Sequence, residues 1–203
     1  MTATASIVSQ CLSAFDRVIP AKVQANPLEL RSARHLTLLA SITALSVPIL
    51  TLMYHFLGDD AAATVVLTGG IVMMISPFLM GVGLGLAVAR DVFIGALFVL
   101  KIWLAVHLGG IGAPTVPWFV LCPLIAVLLG GAVAGLFWSA MVSATVIALF
   151  WLEQSGVGFA PYPVSHPLIL QLVSVIGLFA LVTIIALCFR SDAPSAWHAS
   201  DSN

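Results

Sequence analysis

Apolar residues fall in six runs between residues 36 and 189, separated by short polar or small-residue stretches. A helix needs about 20 apolar residues to cross a hydrocarbon core roughly 30 Å thick. The fourth run is short, so we expect its helix to extend into the small-residue turn that follows it. The pattern predicts an all-α polytopic membrane protein, a bundle of six transmembrane helices at residues 35–57, 61–83, 91–108, 118–129, 135–152 and 167–189.

The composition supports this fold class. Of the 203 residues, 61% are hydrophobic and only 7% are charged. The mean hydropathy is +1.16, far above that of a soluble domain. The composition therefore predicts a multi-pass membrane protein.

The positive charges predict the orientation of the spans. Cytoplasmic loops next to span ends carry an excess of Lys and Arg. Asp59, Asp60 and Glu153 fall on the opposite side, which receives no Lys or Arg. Both termini are therefore predicted to be cytoplasmic. The basic residues that share the cytoplasmic side are Arg17, Lys22, Arg31, Arg34, Arg90 and Arg190.

Three regions follow from this topology. Residues 1–33 form a cytoplasmic N-terminal segment, in which apolar positions recur at helical spacing between residues 5 and 20. That spacing suggests an amphipathic helix on the inner membrane surface, with a partly ordered tail as the alternative. Residues 34–190 form the six-helix membrane domain. Residues 191–203 are polar and short, and are predicted to be a disordered cytoplasmic tail.

Signatures of enzymatic chemistry are absent from the sequence. It contains no Gly-x-Ser-x-Gly, no phosphate-binding loop, no His-Glu-x-x-His and no carboxylate pair within a span. The three cysteines, at positions 11, 122 and 188, have no spacing typical of a metal site and are interpreted as small buried apolar residues. We therefore expect a protein that is not an enzyme.

Lys101 is the one ionisable residue well inside a predicted span. Such a residue costs about 2.5–3.5 kcal/mol on insertion scales and is a functional candidate by default. Three interpretations are open. The amine can extend toward interfacial water, it can make a structural polar contact inside the bundle, or it can contact a signal or ligand directly.

Histidines form a second candidate group. His55, His107 and His166 all lie near the predicted outer face, close to Asp59 and Asp60. Imidazole and carboxylate groups can bind a divalent metal, and two opposed histidines can hold a haem. Proton sensing and plain solvated side chains are the alternatives. No cofactor is expected as the default, and haem or a divalent metal is kept as the alternative.

The stretch that begins at His107 carries a family resemblance. The order of its Gly, Pro and Trp residues is similar to that in the membrane input domains of certain bacterial sensor histidine kinases and diguanylate cyclases. The segment 26–34 and Arg90 are similar as well, so the resemblance covers roughly residues 26–190. It implies six spans with both ends in the cytoplasm, in the inner (plasma) membrane of a bacterium. The other residues that carry it are Gly109, Gly110, Ala113, Pro114, Trp118, Pro123, Ala126, Gly131, Gly135 and Trp138.

The same stretch has a physical interpretation. Gly109 and Gly110 end the third helix, Pro114 and Pro117 favour an extended outer loop, and Trp118 anchors the next helix at the interface. The resemblance implies a linker on which a ligand or lipid acts. The candidate residues for signal or ligand contact are Lys101, Trp103, His107 and Trp118.

These features together predict a class of function. Members of the family continue into a kinase or cyclase, whereas here 13 residues follow Arg190. We expect a non-enzymatic sensory or regulatory module for signal transduction, which passes its signal to a separate protein partner. Its other expected contacts are the lipid bilayer and a second copy of the chain, and no nucleic acid is expected.

Three other functions are alternatives. The first is the substrate-binding subunit of a small-solute importer, for which Ala40, Ala44 and Pro48 would form a docking face of small residues. The second is a structural subunit of a larger membrane complex. The third is a cofactor-bearing anchor for electron transfer.

Overall fold

A computed structural model describes residues 27–156, 159 and 167–190. This part of the chain contains helices and turns and no strand, which confirms the all-α class. Two short 3-10 turns, Gly110–Gly112 and Val116–Val120, lie between the fourth and fifth helices. The helices are α1 Pro27–Phe56, α2 Asp60–Ile75, α3 Phe78–Gly81, α4 Gly85–His107, α5 Leu121–Gln154 and α6 Pro167–Arg190.

Four helical segments are long and apolar enough to cross a membrane, as in a multi-pass protein. They are Glu29–Phe56, Asp60–Gly81, Val116–Gln154 and Pro167–Ala186. Helix α4 has sufficient length, 23 residues, but it carries three charged residues: Arg90, Asp91 and Lys101. The predicted surface helix at residues 5–20 and the predicted tail at 191–203 lie outside the described residues.

The chain divides into two units, Met1–Ser165 and His166–Asn203. The first contains α1–α5 and the second contains α6. In the first unit α2 packs between α1 and α4, and α4 packs against α5. Gly70 of α2 lies directly against Val47 of α1, so the missing side chain lets these two helices approach closely.

Helix α5 reverses direction at Gly131. This residue has φ 75° and ψ −170°, a backbone conformation that is essentially restricted to glycine. The side chain of Val127, which precedes Gly131, contacts Gly135, which follows it. In a straight helix these residues would be about 12 Å apart along the axis, at 1.5 Å per residue. Helix α5 is therefore a hairpin with a first limb at residues 121–130 and a second limb at 132–154.

The connection between α4 and α5, residues 108–120, is folded and largely buried, and we call it the linker. Gly109 is left-handed, with φ 106°, directly after α4, which confirms that glycine ends this helix. The prediction of an extended loop is wrong, because Pro114 and Pro117 lie beside or within 3-10 turns. Proline fixes φ near −65°, a value that suits a 3-10 turn as well as an extended strand.

Replacing Gly131 by Ala tests the hairpin. A side chain at this backbone conformation is expected to cost about 1–3 kcal/mol, so Gly131→Ala should lower the free energy of unfolding by that amount. Gly81→Ala is the matched control, since Gly81 lies in α3 with open space around it. Reversible unfolding in mixed micelles measures both. Equal stability of the two variants would contradict the reversal at Gly131.

Candidate functional site

Polar side chains gather where α1, α2 and α4 meet, at the His107 end of α4. Asp59 precedes α2 and caps it, because its carboxylate accepts a 2.9 Å hydrogen bond from the Ala62 amide. Nε2 of His107 lies 3.1 Å from each carboxylate oxygen of Asp59 and donates to them. The Asp59 side chain is only 3% exposed. This pair therefore fixes the end of α4 to the start of α2.

The neighbouring acidic residue pairs with a different histidine. Nδ1 of His55 lies 2.6 Å from an oxygen of Asp60, and both side chains are exposed. His55 and His107 thus contact separate carboxylates and share no ligand set. Within the described ranges, no group of three His, Cys, Asp or Glu side chains is placed to hold a metal ion. His166, the third predicted histidine, lies outside the described residues.

Trp103 lies one helical turn before His107, and the two rings stack. Their centroids are 4.4 Å apart and the planes are inclined by 20°. The indole therefore covers one face of the imidazole while Asp59 holds its Nε2 atom. Together these contacts fix the orientation of the His107 ring.

Lys101 points to the other side of α4 from Trp103, because side chains two positions apart on an α-helix differ in direction by about 200°. The residue is 7% exposed. Its Nζ atom lies 4.6 Å from the centroid of the Trp118 ring, a cation–π contact. This position supports a contact inside the bundle, and direct contact of Lys101 with a ligand stays a prediction.

The linker is packed against both neighbouring helices. The Ile111 amide donates to the Glu153 carboxylate at 3.4 Å, near the end of the second limb of α5. The Phe98 ring of α4 makes edge contacts with Phe119 of the linker and with Trp138 of the second limb, with centroids 5.9 and 5.6 Å away. A shift of the linker would therefore change its contacts with α4 and with α5.

The opposite end of α4 also lies against a turn. The Arg90 guanidinium donates two hydrogen bonds to Asp91, at 2.9 and 3.0 Å, and lies directly against Gly130 at the hairpin of α5. Arg90 is identifiable from the sequence as a positive charge between spans. Its contact with Gly130 joins residues 40 positions apart and has no sequence signal.

Sequence reasoning identified Lys101, Trp103, His107 and Trp118 but did not pair them. The structure brings Lys101 to Trp118 and Trp103 to His107, as two contacts on different sides of α4. Asp59 was the partner that sequence reasoning missed. An aspartate directly before an apolar helical run is typical of an N-cap, and that signal was available.

Two aspartates side by side allow a matched test. Asp59→Ala removes a helix cap and the partner of His107, so the free energy of unfolding should fall by about 1–3 kcal/mol. Asp60→Ala removes an exposed pair and should cost less than about 1 kcal/mol. Unfolding in mixed micelles compares the two variants. A larger loss for Asp60→Ala would contradict the assignment of the buried contact to Asp59.

Comparison of the chain with protein-family models, with curated proteins and with solved structures finds no match. The resemblance of residues 26–190 to sensor input domains stays a prediction. The function is therefore argued from the geometry of α4 and its contacts.

Proposed function

We propose that this chain is a non-enzymatic sensory or regulatory module of a bacterial inner membrane. In this proposal it crosses the bilayer six times with both termini in the cytoplasm, and it passes its state to a separate protein partner. The observation that carries the proposal is the placement of polar contacts on α4. One helix holds Lys101 and His107 near one end and Arg90 near the other.

The six-span topology adds two spans to the four apolar segments: α4 is one, and the division of α5 into two limbs gives the other. Helix α4 is about 34 Å long at 1.5 Å per residue, which is enough for a bilayer core. The reversal at Gly131 divides α5 into two limbs, which cross in opposite directions in this proposal. The first limb is only about 15 Å long, so its span also needs the preceding 3-10 turn Val116–Val120. The positive charges at Arg31, Arg34 and Arg90 then lie on one side, as the charge rule requires.

Reporter fusions test this topology. A reporter at the carboxyl end should lie in the cytoplasm, and one inserted between residues 155 and 165 should lie outside it. The expected activities are therefore opposite for an enzyme that works in only one compartment. Two reporters in the same compartment would contradict the six-span arrangement.

Transmission follows from the rigidity of α4. A ligand or lipid that disturbs the linker acts on Trp118 or on the Asp59–His107 pair, and both contact α4. Packed helices respond by shifts of about 1–2 Å rather than by bending. Such a shift moves Arg90 relative to Gly130, at the turn that faces the cytoplasm in this topology. A partner that contacts this turn would read the change.

A thiol reporter at the turn tests transmission. Ala132→Cys is exposed next to Gly131 and is placed in a chain with Cys11→Ala and Cys188→Ala. Asp59→Asn should change its rate of labelling by a soluble maleimide by about twofold to thirtyfold, the range that corresponds to couplings of 0.5–2 kcal/mol. Asp60→Asn, the control, should leave the rate unchanged. Equal rates in all three folded proteins would refute transmission along α4.

The importer alternative depends on a small-residue face of α1. Ala44 and Pro48 are exposed, whereas Ala40 is buried. The docking face is thus reduced to two of its three residues, which weakens this alternative. A structural subunit needs no coupling between the two ends of α4, so the labelling experiment also separates that alternative from a sensor.

A further inference from the structure

We infer that Lys101 and Thr115 bind a small anion inside the first unit, between α4 and the linker. This inference rests on the proposed function and names the chemical class of ligand for the same site. Two observations point to it independently: a buried cation that has no carboxylate partner among the described residues, and a buried hydroxyl group on the adjacent linker that has no hydrogen-bond partner there.

The first observation concerns the charge of Lys101. An ammonium group removed from water needs a compensating charge or hydrogen-bond acceptors. Among the ion pairs of the described residues, none includes Lys101. The carboxylates of Asp59, Asp60 and Asp91 are held by His107, His55 and Arg90.

The other two carboxylates of the described residues are Glu153 and Glu29. Glu153 accepts a hydrogen bond from the Ile111 amide, and Glu29 lies in the first turn of α1. Residues 154–191 contain no Asp or Glu, and the remaining acidic residues, Asp16, Asp192 and Asp201, lie outside the described residues. The Trp118 ring offsets part of the cost of the buried charge, but an aromatic face carries no net negative charge.

The second observation concerns Thr115. This residue is 4% exposed, and its hydroxyl group has no hydrogen-bond partner among the described residues. It directly precedes the 3-10 turn Val116–Val120. Side chains three residues apart are eclipsed in a 3-10 helix, so Thr115 lies on the same side of the turn as Trp118. Lys101 contacts the same turn, because its ammonium lies over the Trp118 ring.

The chemistry of the two groups selects an anion. An ammonium group has three hydrogen-bond donors and a hydroxyl group has one. Burying either group without an acceptor costs free energy. Ala113 and Cys122 are also buried beside these residues, so the ligand must be small. A halide ion and the carboxylate head of a short organic acid share the required charge and size.

Thermal unfolding of the purified full chain tests the inference. The midpoint temperature is measured in sodium chloride, in sodium acetate and in sodium gluconate, at one ionic strength. A ligand that binds the folded state raises its stability in proportion to ln(1 + [L]/Kd). The midpoint should therefore rise with chloride or acetate concentration, and gluconate is too bulky to have this effect.

Two variants and one control assign the effect to the site. Lys101→Met should abolish the rise. Thr115→Val should require about fivefold more anion for the same rise, the effect of losing one hydrogen bond. Thr51→Val is the matched control, because the Thr51 hydroxyl also has no partner among the described residues but lies on α1. It should respond as the original chain does.

Each outcome decides the matter. A rise with chloride alone supports a halide site, and a rise with acetate supports recognition of a carboxylate head. The inference is overturned if the original chain responds equally to all three salts, or if Lys101→Met still responds. If Lys101→Met does not fold, the comparison of Thr115→Val with Thr51→Val decides, since equal responses there would also overturn it.

The inference and the proposed function fail separately. Labelling of Ala132→Cys is measured in gluconate and does not depend on the anion. If no anion stabilises the chain while Asp59→Asn still changes labelling, the anion site is refuted and the sensory module stands. If anions stabilise the chain but labelling never changes, the site stands without transmission.

Discussion

The cost of placing charged groups in an apolar interior governs the arrangement of this protein. Only 7% of its residues are charged, so each charge inside the bundle needs a particular partner. Along α4 these partners are an adjacent carboxylate for Arg90, an aromatic ring for Lys101 and a buried aspartate for His107. Two of these three partners come from other elements, and they determine which turns and helix ends pack against α4.

This constraint makes α4 the centre of the first unit. It packs against α2 on one side and α5 on the other, and its two ends contact turns rather than solvent alone. The linker joins the same network through Phe119, Trp118 and the Ile111 amide. A helix that packs against neighbouring elements at both ends can occupy discrete positions, because a packed interior does not deform continuously. That property is the physical basis of the proposed sensory role.

The linker differs from an ordinary surface loop. Ala113, Thr115 and Phe119 are buried, and the chain forms 3-10 turns at the two prolines. In an apolar environment an extended segment would leave its amide and carbonyl groups without partners, whereas 3-10 turns satisfy several of them internally. The same folding places Thr115 and Trp118 on one side of the turn, and Trp118 contacts Lys101. The proposed anion site is thus a consequence of how the linker satisfies its own backbone.

Four features follow from local sequence alone: the helical class, the apolar segments, the glycine end of α4 and the turn near Gly131. They depend on local composition and on backbone conformations that few residues adopt. The sequence also identified Lys101, Trp103, His107 and Trp118 as the residues to examine. Only the tertiary structure decided that Asp59 and not Asp60 holds His107, that Lys101 lies under Trp118, and that Arg90 lies against Gly130. These contacts join residues that are far apart in the chain, and local patterns carry no information about which distant helix supplies a partner.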